Sequence, residues 1–164
     1  MKPKIIYLAT ALAFASPAAA EDKLVDLGTA ANVAAALQEA GYKAVVKTGD
    51  DGDPYITSAA NGEEFTVDFY DCKDKHCTSI SFSSWYKPDP LWTAALTNEW
   101  NAQKRFLRIG VDKEGKLREY IDISTIGKLT QANFADMVDW YESMDAELAR
   151  FIKAKRDAAA PPAK

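Results

Sequence analysis

Residues 64–86 have the sequence EFTVDFYDCKDKHCTSISFSSWY, which predicts a complete β-hairpin. Apolar and polar side chains alternate on both sides of the central segment, which is the period of a strand with one buried face. One register opposes the two cysteines and also pairs the apolar residues, namely Cys72 with Cys77, Phe69 with Ile80 and Val67 with Phe82. A shift by one residue would break both matches, so the hairpin has a single favoured register.

The two cysteines of this hairpin are close enough in the predicted register to form a disulfide. Directly opposed residues on antiparallel strands have Cα atoms roughly 4.5 to 5.5 Å apart, which is within the range that a disulfide spans. A structural Cys72–Cys77 bridge is the favoured interpretation, and an exchange-active thiol pair is an alternative. A metal site that also uses His76 is a further alternative, although Cys-x₄-Cys differs from the usual zinc spacing.

The first 20 residues have the pattern of a secretory signal peptide. Lys2 and Lys4 precede an apolar run over residues 5–14, and the segment ends in Ala18-Ala19-Ala20. Small residues at positions 18 and 20 match a cleavage site after Ala20, and the apolar run is too short to span a bilayer. We therefore expect a periplasmic or secreted protein with no stable membrane insertion after cleavage, in a compartment where disulfides persist.

Charge argues against nucleic acid and anionic membranes as partners. The 164 residues carry 20 Lys plus Arg against 24 Asp plus Glu, a formal net charge of −4, and removal of Lys2 and Lys4 lowers it to −6. The signs are interspersed, without a basic patch. We expect a signal peptide over residues 1–20, an N-terminal lead over 21–28, a single domain over 29–155 and a disordered tail over 156–164.

The remaining patterns predict an α+β fold in which helices pack on an antiparallel sheet. Thr29 is placed to cap the first helix and Asp89 the second, and Asn61-Gly62 predicts a type I′ turn that pairs Ile56 with Val67. The predicted order is α-β-β-β-β-α-β-β-α, with helices over residues 29–41, 91–103 and about 130–155, and strands over 43–48, 54–58, 64–70, 79–86, 106–111 and 117–123.

The last predicted helix has an apolar stripe at three-four spacing that is longer than one small sheet normally covers. Part of it is therefore a candidate partner interface, although burial of the whole stripe against the sheet is the interpretation that we favour. The residues of this stripe are Phe134, Met137, Tyr141, Met144, Leu148 and Phe151.

No constellation in the chain predicts catalysis. His76 is the only histidine, so a histidine-based triad would depend on one turn residue. The sequence contains no phosphate-binding glycine loop and no zinc-protease motif. We therefore predict a protein that is not an enzyme, with no catalytic residue, no metal and no cofactor.

Several short motifs lie between about Thr29 and Ile152. They are Gly41-Tyr42, Asp51-Gly52-Asp53-Pro54-Tyr55-Ile56, Phe65-x-Val67-x-Phe69-Tyr70-x-Cys72, and Glu99-Trp100-Asn101 followed by Arg105-Phe106. These motifs resemble those of the YbjN family. The resemblance implies a bacterial sensory transduction regulator, a fold similar to type III secretion chaperones and a tendency to form a homodimer. No catalytic residue is carried over from this family.

Together these patterns predict an exported, non-enzymatic module that acts by binding a protein partner, in a regulatory or chaperone-like role. The alternative is a small periplasmic thiol-redox or metal-handling protein that uses Cys72 and Cys77.

Overall fold

The computed structural model describes residues 22–159 and has the predicted α+β architecture. Three helices pack with one six-stranded and one two-stranded antiparallel sheet in this part of the chain. The elements are β1 (Leu24–Val25), α1 (Ala30–Glu39), β2 (Val45–Thr48), β3 (Pro54–Ala60), β4 (Glu63–Tyr70), β5 (Ser79–Tyr86), α2 (Ala94–Gln103), β6 (Arg108–Val111), β7 (Leu117–Ser124), β8 (Leu129–Thr130) and α3 (Gln131–Ala159). The order predicted for the longer elements is confirmed.

The large sheet has the strand order β2-β3-β4-β5-β7-β6, and its central hairpin has the predicted register. Val67 pairs with Phe82 and Phe69 with Ile80, while the preceding hairpin pairs Ile56 with Val67. The turn between β3 and β4 has positive φ at both Asn61 and Gly62, as a type I′ turn requires. Local alternation and turn chemistry therefore decide the centre of the sheet.

The helices cover one face of this sheet, and the core lies between the two layers. Tyr141 of α3 packs on Phe65 and Phe82, with ring centroids 5.2 and 5.8 Å apart. Helix α1 lies beside α3, and α2 packs on its other side through Trp100 and Phe151. On the opposite face of the sheet, Tyr70 and Trp85 remain exposed. The described chain is thus a two-layer structure with one open sheet face.

The small sheet formed by β1 and β8 was not predicted. Leu24 pairs with Thr130 and Val25 with Leu129, so the N-terminal lead is hydrogen-bonded to the residues that precede α3. The backbone N–H of Gln131 also donates to the carbonyl of Lys23. Strands of two residues carry no periodic signal, and their pairing depends on contacts between the two ends of the described chain.

The predicted start of α2 is wrong. The helix begins at Ala94, and the side chain of Thr93 accepts from the N–H of Leu96. Asp89 caps a separate turn instead, where it accepts from the N–H of Leu91 and forms an ion pair with Arg156 of α3. Asp89 thus caps a single turn that ends before the helix begins.

The end of α3 also differs from the prediction. The helix continues to Ala159, so residues 156–159 are helical where a tail was predicted. The rest of that tail, residues 160–164, and the signal peptide predicted over residues 1–20 lie outside the described residues.

Candidate functional site

The cysteine hairpin is the first candidate site. The sulfur atoms of Cys72 and Cys77 lie at disulfide-bonding distance, and Cys77 is buried whereas Cys72 is exposed. The backbone N–H of Cys77 donates to the carbonyl of Gly28, and the hydroxyl of Thr125 donates to the carbonyl of Cys77. These bonds attach the hairpin loop to the N-terminal lead and to the end of β7, so the bridge forms part of a rigid junction.

His76 lies on the outer side of this junction and faces the lead. Its Nε2 is 3.3 Å from the Oδ1 of Asp26, and a Cβ placed on Gly28 would be only 2.2 Å from the ring. A Cβ at position 28 would therefore displace the imidazole, which belongs to a half-exposed side chain that can rotate away. The N–H of Gly28 and the hydrogen bond to His76 hold the pKa of Asp26 below its usual value. No group of three or more potential metal ligands is brought together anywhere in residues 22–159.

A pair of carboxyl groups lies between the sheet and α3. Glu119 of β7 is fully buried, and it accepts hydrogen bonds from the hydroxyls of Tyr141 at 3.2 Å and Tyr86 at 3.3 Å. Asp145 of α3 is also buried and accepts from the side-chain amide of Asn61. Burial raises the pKa of Glu119 to about 8, and the charge of Asp145 contributes in the same direction. This pair has no accessible surface for a substrate, so its effect is on stability.

The apolar stripe of α3 divides into buried and half-buried residues. Phe134, Tyr141 and Leu148 are buried in the core, which leaves them no accessible surface for a partner. Met137, Met144 and Phe151 are only partly buried and lie at the flank of the core. The structure thus places the stripe against the sheet, with only one flank accessible.

A surface made of aromatic and arginine side chains continues this accessible flank. Trp140 of α3 lies against Phe106, with ring centroids 4.4 Å apart, and both side chains are more than 40% exposed. The guanidinium carbon of Arg105 is 4.8 Å from the centroid of the Phe106 ring. Arg108 lies at the adjoining edge of β6, where it pairs with Tyr120 on the sheet face opposite buried Ile109 and donates to the carbonyl of Asn101. We call Arg105, Phe106, Arg108 and Trp140 the aromatic–arginine surface.

The motif Glu99-Trp100-Asn101, which precedes Arg105 and Phe106 in the chain, explains the position of this surface. Glu99 accepts from Lys155 of α3, and the indole N–H of buried Trp100 donates to the carbonyl of Leu107. The side chain of Asn101 both donates to and accepts from the backbone of Ile109, so it closes the outer edge of β6. These contacts fix the chain on both sides of Arg105 and Phe106, whose own side chains remain exposed.

Phe106 has a φ of +64°, an uncommon conformation for a bulky residue. The positive φ turns the chain away from the line of β6, so Phe106 does not belong to the strand predicted over residues 106–111. The sequence pattern placed Phe106 in a strand, and nothing in it indicated that this ring meets Trp140 of the last helix. The adjacent basic residues in Lys104-Arg105-Phe106-Leu107-Arg108 were the available signal.

The open sheet face carries a second cluster, centred on Arg118. Its guanidinium donates to the hydroxyl of Tyr70 and to Ser81, lies 3.6 Å from the carboxylate of Asp68, and stacks over Trp85. Its polar contacts all run through Nη2, and its buried Nε has no hydrogen-bond partner; unlike Arg105 and Arg108, however, it lies within ion-pair distance of a carboxylate.

Comparison with known proteins assigns the chain to one family. The YbjN family model, described as "Putative bacterial sensory transduction regulator", matches residues 29–153. No curated protein and no solved structure matched the chain. In the part of the chain that the structure describes, no helix is both long enough and apolar enough to span a membrane.

Proposed function

This chain belongs to the YbjN family, and from that premise we propose that it is an exported, non-enzymatic regulatory module that acts by binding another protein. The description of the family supports a regulatory role. The more specific proposal, that the protein binds another protein, is supported by the accessible surface of the domain.

The aromatic–arginine surface is the observation that carries this proposal. Aromatic residues, methionine and arginine are enriched at protein interfaces, and Trp and Arg contribute strongly to binding energy at hot spots. Here Phe106 and Trp140 lie in contact while exposed, and Met137 and Met144 of α3 are half-buried on the same flank. Methionine side chains adapt to different partners, which suits a binding surface.

Two independent features support export. The first 20 residues have the charge, apolar run and small residues of a signal peptide. Cys72 and Cys77 lie at disulfide-bonding distance, and such bridges persist in oxidising compartments. We therefore infer that the binding takes place in the periplasm or outside the cell.

Site-specific photo-crosslinking in the cells that make the protein tests the binding role. A photoreactive amino acid replaces Gln103, an exposed residue close to Phe106, and in a control variant it replaces Lys47, an exposed residue of the distant strand β2. We expect one discrete crosslinked product from position 103 and none from position 47. Equal crosslinking from both positions, or none from either, would contradict the proposal.

Thiol exchange remains the alternative activity, because Cys72 of the bridged pair is exposed. The double variant Cys72→Ser with Cys77→Ser separates the two functions. If the protein is a binding module, the variant retains the crosslink from position 103. Loss of so short a bridge should lower the free energy of unfolding by about 1 to 2 kcal/mol, measured by chemical denaturation. A variant of unchanged stability that no longer forms the crosslink would favour the redox function.

A further inference from the structure

We propose that the aromatic–arginine surface recognises an acidic segment of the partner protein, in which an apolar side chain packs on Phe106 and Trp140 while carboxylates pair with Arg105 and Arg108. This inference rests on the proposed protein-binding function and specifies the chemistry of the partner.

The charged side chains near Phe106 and Trp140 indicate which sign of charge the partner segment carries. Neither Arg105 nor Arg108 forms an ion pair with any residue of the described chain, and Arg108 donates only to the backbone carbonyl of Asn101. The neighbouring cations are already neutralised: Lys104 pairs with Glu147, Lys155 with Glu99 and Arg156 with Asp89. Arg105 beside the rings and Arg108 at the adjoining edge of β6 are therefore two guanidinium groups without an ion pair, on a chain whose net charge is −4.

The acidic residues around Trp140 offset this positive charge only in part. Asp136, one turn before Trp140 on the same side of α3, is exposed and forms no ion pair within the described residues. The carboxylate of Asp139 accepts from the hydroxyl of Tyr42, on the flank of α3 that faces α1. Glu142, which lies on the same flank, accepts from the same hydroxyl. Asp139 and Glu142 are thus directed away from Phe106. A carboxylate from a partner is the complementary group, since arginine binds carboxylates with paired, directional hydrogen bonds.

The backbone at Phe106 is the second, independent observation. A φ of +64° is unfavourable for a bulky side chain, and Gly or Asn would adopt it with less strain. The ring is 43% exposed, so burial in the core does not account for a phenylalanine here. Buried Leu107, whose carbonyl accepts from Trp100 at 3.1 Å, holds the segment in place. Strain retained at an exposed aromatic residue is typical of a binding site.

A second copy of this chain fits the surface less well than an acidic partner does. In a two-fold symmetric contact the same patch meets itself, so Arg105 and Arg108 of one copy would face the same arginines of the other. Repulsion between like charges opposes such a pairing. An acidic segment instead brings the opposite charge together with the apolar contact.

Selection from a library of random 12-residue peptides displayed on phage tests the inference, with the mature protein as bait. We expect the enriched peptides to combine Asp or Glu with Leu, Phe or another large apolar residue. Their affinity should fall with rising salt, because the interaction includes exposed charges. An enriched pool without excess acidic residues, or no enrichment at all, would overturn the inference.

Two variants and one control show whether the selected peptides bind at this surface. The charge reversal Arg105→Glu with Arg108→Glu and the truncation Trp140→Ala should each weaken binding by about tenfold or more, with unchanged thermal melts. Trp85→Ala is the matched control, because Trp85 is an exposed tryptophan stacked with an arginine on the opposite sheet face. Equal affinity for the charge-reversed variant, or loss of binding in the control alone, would contradict the assignment.

The same variants separate the inference from the broader proposal. If the crosslink from position 103 forms but survives the charge reversal, then the protein binds a partner and the acidic chemistry is wrong. If neither position crosslinks, the binding function itself fails. A dimer seen by light scattering that Trp140→Ala dissociates would identify a second copy as the occupant and would also overturn the inference.

Discussion

Glu119 is the residue whose protonation most affects this domain. Its carboxyl group is fully buried between β7 and α3, beside the carboxylate of Asp145, and its pKa is raised from the ordinary 4.5 to about 8. The folded state therefore retains a proton that the unfolded state releases above pH 4.5. Because the folded state binds more protons in this range, the free energy of unfolding should fall as the pH rises from 4.5 to 8, and then level off.

The variant Glu119→Gln should remove this pH dependence. Glutamine is close in size to the protonated carboxyl group, it can donate a hydrogen bond as that group does, and it cannot ionise. At pH 8.5 we expect the variant to be more stable than the natural protein by roughly 2 to 4 kcal/mol, and the difference should shrink toward pH 5. Chemical denaturation at several pH values measures this, with the exposed Glu114→Gln as the control. Parallel stability curves for Glu119→Gln and the natural protein would contradict the assigned role.

Phe106 allows a test of backbone strain that is separate from binding. Phe106→Ala and Phe106→Gly both remove the ring, but only glycine adopts a φ of +64° without steric cost. We expect the glycine variant to be more stable than the alanine variant by about 1 kcal/mol, the reverse of their usual order in a helix or strand. Denaturant melts measure the difference. If alanine is the more stable of the two, the segment is not strained in solution.

At the scale of single elements, α3 covers the core on one side and contributes Trp140 to the proposed binding surface on another. Its buried residues contact the sheet, while Trp140, on another side of the helix, contacts Phe106. A change on the buried side should thus unfold the domain, and a change at Trp140 should affect only binding.

The double variant Leu148→Ser with Phe151→Ser should abolish cooperative unfolding. Leu148 is fully buried, and the Phe151 ring packs on Trp100 with centroids 5.4 Å apart. Each large-to-small change in a core costs roughly 2 to 5 kcal/mol, a large share of a typical total stability of 5 to 15 kcal/mol. Ala149→Ser with Ala154→Ser, at exposed positions of the same helix, is the control for thermal melts. A cooperative melt together with weakened partner binding would instead indicate that Leu148 and Phe151 form part of a partner interface.

At the scale of the whole molecule, the domain has helices on one face of its sheet and an acidic net charge. We predict that the exported form begins at Glu21, because small residues precede that position and the character of the chain changes there from apolar to acidic. Intact mass spectrometry of the protein recovered from the periplasm or the medium measures the start. Recovery of a form that retains residues 1–20 would contradict the signal-peptide assignment.

The sequence by itself determined the elements whose signals are local. Alternation gave the register of the β4–β5 hairpin, Asn61-Gly62 specified the turn before it, and Thr29 capped α1 as predicted. These signals suffice because neighbouring residues decide strand faces, turn type and helix caps.

Only the tertiary structure decided which side chains meet across elements. Four such contacts join residues that are far apart in the chain. Phe106 lies against Trp140, Glu119 is buried beside Asp145, Asp89 forms an ion pair with Arg156, and β1 pairs with β8. Positive φ at Phe106 has no signal in the residue type, since phenylalanine favours strands. The candidate site thus depends on long-range packing, which overrides the local preferences that a sequence pattern records.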